Sequence, residues 1–294
     1  MRESKSSKIM LAAAMAIFGT IGIFRKYIPL PSGVLAMSRG FIGALFLFIL
    51  VKLGGGRISR RAVKNNAVAL IASGTVLGIN WILLFEAYRH TSVATATLAY
   101  YMAPVIVILV SPVLFGEKLT VRKITCVVLA VLGMVLVSGV FTPGGQVQTK
   151  GILLGLCAAV FYALVMIFNK SIYKISAYDK TIVQLLVAAV VLLPYTLLTG
   201  EMASLQFTGL SAVMLVVVGV VHTGVAYRLY FGAMGEVKAT TTALYSYIDP
   251  ALAVVLSATV LGDAMGLAEI LGAVLVLGAT MASEFTPAKK NRYF

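Results

Sequence analysis

Charged residues are scarce in this sequence: 12% of its 294 residues are Asp, Glu, Lys or Arg, against about a quarter in an ordinary soluble domain. Acids are the rarest of them, 10 against 24 basic residues. Hydrophobic residues make up 60% and the mean hydropathy is +1.00. A soluble fold has no interior large enough for so much apolar side chain, so lipid must be part of the solvent. Cysteine is nearly absent as well. Cys126 and Cys157 both fall in long apolar runs, which argues against a disulfide framework and a cysteine metal site. The two histidines, His90 and His222, are read as forming no metal site with the few acids. No Gly-x-x-x-x-Gly-Lys-Ser/Thr stretch occurs, which excludes a nucleotide-driven pump unless a partner supplies the energy. No cofactor is expected.

Apolar runs dominate what remains. A helix needs about 20 apolar residues to cross a bilayer. Runs of that size lie near 9–27, 33–52, 66–87, 93–115 and 122–140, then near 151–171, 181–199, 209–231, 239–261 and 267–285. The separators are short and carry breakers such as Pro29, Pro31, Gly54-Gly55-Gly56, Pro143-Gly144-Gly145 and Gly200. The first run resembles a signal peptide. It is long, however, and ends in Arg25-Lys26-Tyr27 without a small-residue cleavage site, so it reads as a retained first helix. Ten spans with a cytoplasmic start place 18 basic residues inside, including Arg57, Arg60, Arg61, Lys118, Lys174, Lys180 and Lys289. Four lie outside: Arg25, Lys26, Arg89 and Lys150. That bias predicts a multi-pass protein of a bacterial or archaeal inner (plasma) membrane with both termini cytoplasmic. It also accounts for the net charge of +14 without nucleic acid as a partner.

The two halves match. Shifting residues 78–124 forward by 146 positions pairs Gly78 with Gly224, Phe85 with Phe231, Thr95 with Thr241, Tyr101 with Tyr247, Pro104 with Pro250, Ser111 with Ser257 and Gly116 with Gly262. Five helices per copy is an odd number, so the second copy is expected upside down. The basic loop at 53–65 and its counterpart at 200–208, which holds no Lys or Arg, agree with that. The expected fold is an all-α integral membrane protein: ten transmembrane helices as two inverted five-helix repeats, 1–145 and 146–294, around a central cavity. Inverted repeats are the usual frame of secondary transporters, because they give two near-equivalent packings open to opposite sides.

The segment Leu84-Phe85-Glu86-Ala87-Tyr88-Arg89-His90-Thr91-Ser92, then Tyr101-Met102-Ala103-Pro104, then Phe115-Gly116-Glu117-Lys118-Leu119-Thr120, resembles the drug/metabolite transporter superfamily. It is most similar to the ten-helix EamA-type exporters. The second half repeats the pattern as Phe231-Gly232-Ala233, Asp249-Pro250 and Gly262-Asp263, with Asp263 where the pattern has Glu. The resemblance implies a monomer with peripheral helices 5 and 10 and a cavity walled by the others. It also implies export or exchange of amino acids or related metabolites.

Polar groups at membrane depth are functional candidates because an unpaired charge there costs several kcal/mol. Asp249, beside Pro250, is either a site for a substrate amine or a proton, or a carboxylate bonded to a neighbouring Tyr, Thr or Arg. Protons are the candidate coupling ion. His222 either lines the cavity or holds one interhelical hydrogen bond. Asn80 and Trp81 offer an amide and an aromatic wall, Trp81 alternatively an interfacial anchor. Tyr100, Tyr101, Tyr245 and Tyr247, with Tyr162 and Tyr227 as weaker candidates, suit an amphipathic solute or simply pack. Arg39 and Glu86 are expected to pair, as a gate or as a static bridge. Pro104 and Pro250 are read as kinks that serve as hinges, and Glu117 as a group positioning the turn between helices 4 and 5. These residues point to a secondary transporter of small metabolites. The alternatives are an intramembrane enzyme, for which no recognisable nucleophile–base or metal set occurs, and a passive channel.

Overall fold

The computed structural model describes residues 4–116, 118–141, 148–203, 208–234, 236–237 and 239–284. Glu117, Lys238, the Pro143-Gly144-Gly145 turn and the basic residues after 284 lie outside the described residues. Every regular element described is helical. The order is α1 (Lys5–Gly19), α2 (Ile21–Tyr27), α3 (Ser32–Leu53), α4 (Arg60–Asn65), α5 (Ala67–His90), α6 (Val93–Tyr100), α7 (Ala103–Phe115) and α8 (Val121–Val137). There follow α9 (Thr149–Lys170), α10 (Ala177–Leu198), α11 (Gly209–Gly219), a π-helical turn (Val220–Val225), α12 (Ala226–Met234), α13 (Ala239–Ser246), α14 (Ile248–Val260) and α15 (Leu267–Glu284).

Among the described residues, seven continuous or jointed helices are long and apolar enough to cross a membrane: Lys5–Tyr27, Ser32–Leu53, Ala67–His90, Val93–Phe115, Thr149–Lys170, Ala177–Leu198 and Gly209–Ala233. Leu244–Val260 and Leu267–Ser283 are shorter apolar helices. Their outer faces carry bare side chains such as Val68, Val113, Leu198 and Val274. Exposed aliphatic faces of this extent are tolerated in lipid. The chain is a multi-pass membrane protein.

Helix packing repeats itself when the halves are exchanged. Helix α5 packs on α9, and α12, its counterpart in the second half, packs on α1. Likewise α7 meets α9 where α14 meets α1, and α6 meets α9 where α13 meets α1. Corresponding elements also cross, α3 with α10 and α8 with α15, while α6 packs on α14. Close crossings need small residues. In the α8–α15 pair a Cβ on Gly133 would come within 2.8 Å of the Gly272 carbonyl, and one on Gly272 within 2.6 Å of the Gly133 carbonyl. This pair stands to one side, its lipid face formed by Ile124, Val128, Leu132, Ile270 and Val274.

The spans that hold Pro104 and Pro250 are both interrupted, which goes further than the kinks expected from sequence. Helix α6 stops at Tyr100, and α7 restarts at Ala103 with Pro104 in its first turn. Helix α13 stops at Ser246, and α14 restarts at Ile248 with Pro250 in its first turn. A first-turn proline forfeits no intrahelical bond, because those N–H groups have no partner in a helix anyway. Breaking the span therefore costs less than bending it through a proline.

Candidate functional site

The two helix breaks face each other across the bundle. The Tyr101 hydroxyl, at the first break, donates to Asp249 Oδ2 at 2.9 Å. Asp249 sits in the first turn of α14, where the helix dipole favours a negative charge. Around this pair lies a cavity of about 380 Å³, within the range of small-metabolite pockets. Its walls hold Asp249, Tyr101, Tyr100, Tyr162, Tyr227, Trp81 and Arg39, all of them sequence candidates. Tyr100 stacks on Tyr162 at 4.9 Å, and Tyr227 stacks on Phe231 at 5.6 Å. Helices α8 and α15 contribute nothing to the walls.

Four candidates lie elsewhere. Asn80 is fully buried in the α5–α9 seam, its Nδ2 donating to the Ala158 carbonyl at 2.7 Å. His222 is buried in the π-helical turn, where Nε2 meets Thr20 Oγ1 at 2.9 Å and the ring stands edge-on to Phe24 at 4.6 Å. Tyr247 is buried at the second break, off the cavity, although its repeat equivalent Tyr101 lines it. Tyr245 packs with Leu11, Met15 and Ala233. The halves are thus alike in backbone and unlike in which tyrosine faces the solute space.

The expected Arg39–Glu86 pair does not form. Glu86 accepts from Ser32 Oγ at 2.8 Å and pairs with Arg89 at 3.2 Å and His90 at 3.1 Å. His90, assigned to a loop from sequence, is the last residue of α5, one turn beyond Glu86. That turn places His90 and Glu86 on one face. Arg39 instead donates from Nε to Thr223 Oγ1 at 2.9 Å, with its guanidinium 4.3 Å over the Trp81 ring. Thr223 belongs to the π-helical turn, which rotates its hydroxyl towards α3. Such turns have no reliable sequence signature and recur at functional sites.

Sequence reasoning passed over four further groups. Lys180 was counted with the topogenic cluster, yet it lines the cavity in the first turn of α10, one turn before Gln184. That four-residue spacing was the available signal. Gln184 Nε2 donates to Ser73 Oγ at 2.6 Å and Asn169 Oδ1 at 2.7 Å, tying α10 to α5 and α9. Arg25, assigned to an outer separator, is 5% exposed and donates to the Ile28 carbonyl at 2.8 Å and Ser32 Oγ at 3.1 Å. Glu201 accepts from the Val34 N–H at 3.1 Å and so caps α3 across the halves. Gly33 is needed there, because a Cβ would collide with the Glu201 carboxylate. Burial raises the Glu201 carboxyl above its ordinary range, against the opposing pull of the Val34 and Gly33 N–H groups.

The cavity is therefore one-ended. It reaches Asn169, Ala177, Lys180 and Tyr230 at the end bearing the basic turns. At the other end, buried Ile28, Leu30, Phe85 and Val93 close the bundle beneath the Arg25–Ser32–Glu86 cluster and the Glu201 cap.

A solute-sized chamber inside a lipid-embedded helical bundle, closed at one end, defines the class of membrane transport proteins. The chain belongs to the EamA-like transporter family of the drug/metabolite transporter superfamily. The family's model matches it twice, over residues 5–139 and 149–283. An uncharacterized transporter of Bacillus subtilis, YxxF, is 30% identical over 277 residues, spanning 94% of this chain and 88% of the relative. An uncharacterized transporter of Archaeoglobus fulgidus is 27% identical, spanning 96% of each chain. The protein RarD of Salmonella typhi is 26% identical over 90% of each. A solved crystal structure superposes with a TM-score of 0.67 at 18% identity, covering 95% of this chain and 97% of the other.

Proposed function

We propose that this protein is a secondary transporter of the inner (plasma) membrane that exports or exchanges small metabolites, foremost amino acids or related compounds, by alternating access. The carrying observation is the one-ended cavity, with Asp249 and Arg39 set among aromatic walls at its closed end. A chamber sealed on one side is one half of an alternating-access cycle, whereas a passive channel needs a continuous path.

The reading takes the halves as inverted five-helix repeats. The double family match and the exchange-symmetric helix pairs support it. The reading takes the open end and both termini as cytoplasmic, and the basic turns support it. Asp249 serves a substrate ammonium or a coupling proton, and the breaks at Tyr101 and Tyr247 are the joints over which the halves rock. Broken helices of this kind recur at transporter binding sites.

Counterflow in proteoliposomes tests the function. Preloaded liposomes are screened with amino acids and other small metabolites at two pH values. Saturable uptake against an equal internal pool of the same solute is expected. Flux that never saturates, or depends only on solute size, rejects the carrier reading.

A further inference from the structure

We propose that the solute carries a carboxylate on an aromatic or apolar body, and that Arg39 is the residue that receives the carboxylate. This deepens the transport reading above and rests on it. Arg39 is 6% exposed. It is held by three contacts that leave its fork open: Nε on Thr223 Oγ1 at 2.9 Å, and the guanidinium 4.3 Å over the Trp81 ring and 5.8 Å over the Phe85 ring. Among the described residues, Nη1 and Nη2 donate to nothing, and no acid lies within 4.0 Å of the guanidinium. A guanidinium carries five donors in a fixed plane, so two open nitrogens facing a cavity form a ready bidentate seat for a carboxylate. Asp249 attracts the guanidinium from across the chamber without touching it, so the two open nitrogens stay unbonded until an anion accepts from them.

The charge of the whole chamber agrees. Its Asp, Glu, Lys and Arg residues are Arg39, Lys180 and Asp249. The Lys180 ammonium, at the open end, has neither a hydrogen bond nor an ion pair among the described residues. Asp249 already accepts the Tyr101 hydroxyl. Two cations against one acid in a chamber of low dielectric attract anions and repel cations. Lys180 stands where an entering carboxylate first meets the wall, and Arg39 lies deeper. The stacked rings of Tyr100 and Tyr162 supply the surface for the solute's body.

Trp81 is the single tryptophan of the chain, so its fluorescence reports occupancy beside Arg39 directly. The full-length protein in lipid nanodiscs is titrated with 3-phenylpropanoate and with phenethylamine, which share one ring and differ in charge. The anion is expected to bind about 30-fold or more tightly than the cation, and Arg39→Gln to abolish that preference. Arg39→Lys keeps the charge without the fork and is expected to restore part of it. Equal affinity for both probes, no saturable response to either, or an unchanged preference in Arg39→Gln overturns the proposal. The wild-type comparison decides even where a variant fails to fold. Counterflow separates the two readings: flux without charge preference rejects only the carboxylate seat, and charge-selective binding without flux rejects only transport.

Discussion

The Tyr101 hydroxyl donates to Asp249 Oδ2 at 2.9 Å, joining the helix break of the first half to that of the second. A charge-assisted bond of this kind is worth roughly 1.5–3 kcal/mol. It holds Asp249 against one side of the chamber and fixes the spacing of the two breaks. Tyr101→Phe is expected to keep the fold, free Asp249 and slow counterflow. Asp249→Asn, which keeps the shape and loses the charge, is expected to cost more flux than Tyr101→Phe. Wild-type flux in both variants would remove the pair from the mechanism.

Arg39 and Glu86 act separately, each held by its own partners. The effects of Arg39→Gln and Glu86→Gln on unfolding are expected to add within about 0.5 kcal/mol. Arg39→Gln combined with Thr223→Val is expected to depart from additivity, since those two side chains share a bond. Chemical denaturation of the three single and two double variants measures both cycles.

The outer closure is expected to depend on pH through Glu201, faced by Arg25, Glu86, Arg89 and Tyr195. Its carboxyl is raised in the closed state. The closed form therefore binds the proton more tightly than a form in which Glu201 is exposed. This contribution to closure is complete below the ordinary carboxylate range and is lost as pH rises through the raised value. A cysteine placed at the buried Leu30, with Cys126 and Cys157 replaced by serine, is expected to lose reactivity towards a polar thiol reagent more steeply on acidification than a cysteine at the exposed Leu53, which reports the thiolate fraction alone. An equal pH dependence at the two positions, or a shallower one at Leu30, contradicts this.

Gly133→Ala is expected to lower the unfolding temperature while leaving solute binding intact. The new Cβ meets the Gly272 carbonyl, and overpacking of that kind costs about 1–3 kcal/mol. Helices α8 and α15 reach no part of the chamber. A thermal melt and a fluorescence titration on the same sample separate the two effects.

His222→Ala is expected to loosen the α2 contact made through Thr20 and Phe24, with a loss of stability larger than any loss of affinity. A change in affinity alone would instead place the imidazole at the solute.

Membrane residence, the run boundaries and the family were readable in the order of residues. Apolar length and charge asymmetry are summed along the chain, and the Tyr-x-x-Pro and Gly-acid pairs keep the same spacing in both halves. Gly116 and Gly262, paired by the 146-residue shift, both take positive φ in the structure, 63° and 69°. That conformation favours glycine at the end of a helix. The cavity wall was partly readable, because tyrosines and an acid beside prolines are conspicuous against an apolar background.

Which way each polar group faces was decided in three dimensions. Tyr101 and Tyr247 have equivalent positions but different surroundings: Tyr101 lines the cavity and Tyr247 is buried off it. Arg39 meets Thr223 and Trp81 instead of Glu86, which the last turn of α5 joins to Arg89 and His90. Lys180 looked like one more topogenic charge until α10 folded it inward. Local pattern sets where helices run, since backbone hydrogen bonds must close within each span in lipid. Rotation about each axis follows only from the whole bundle, where every buried polar group competes for the few partners within reach.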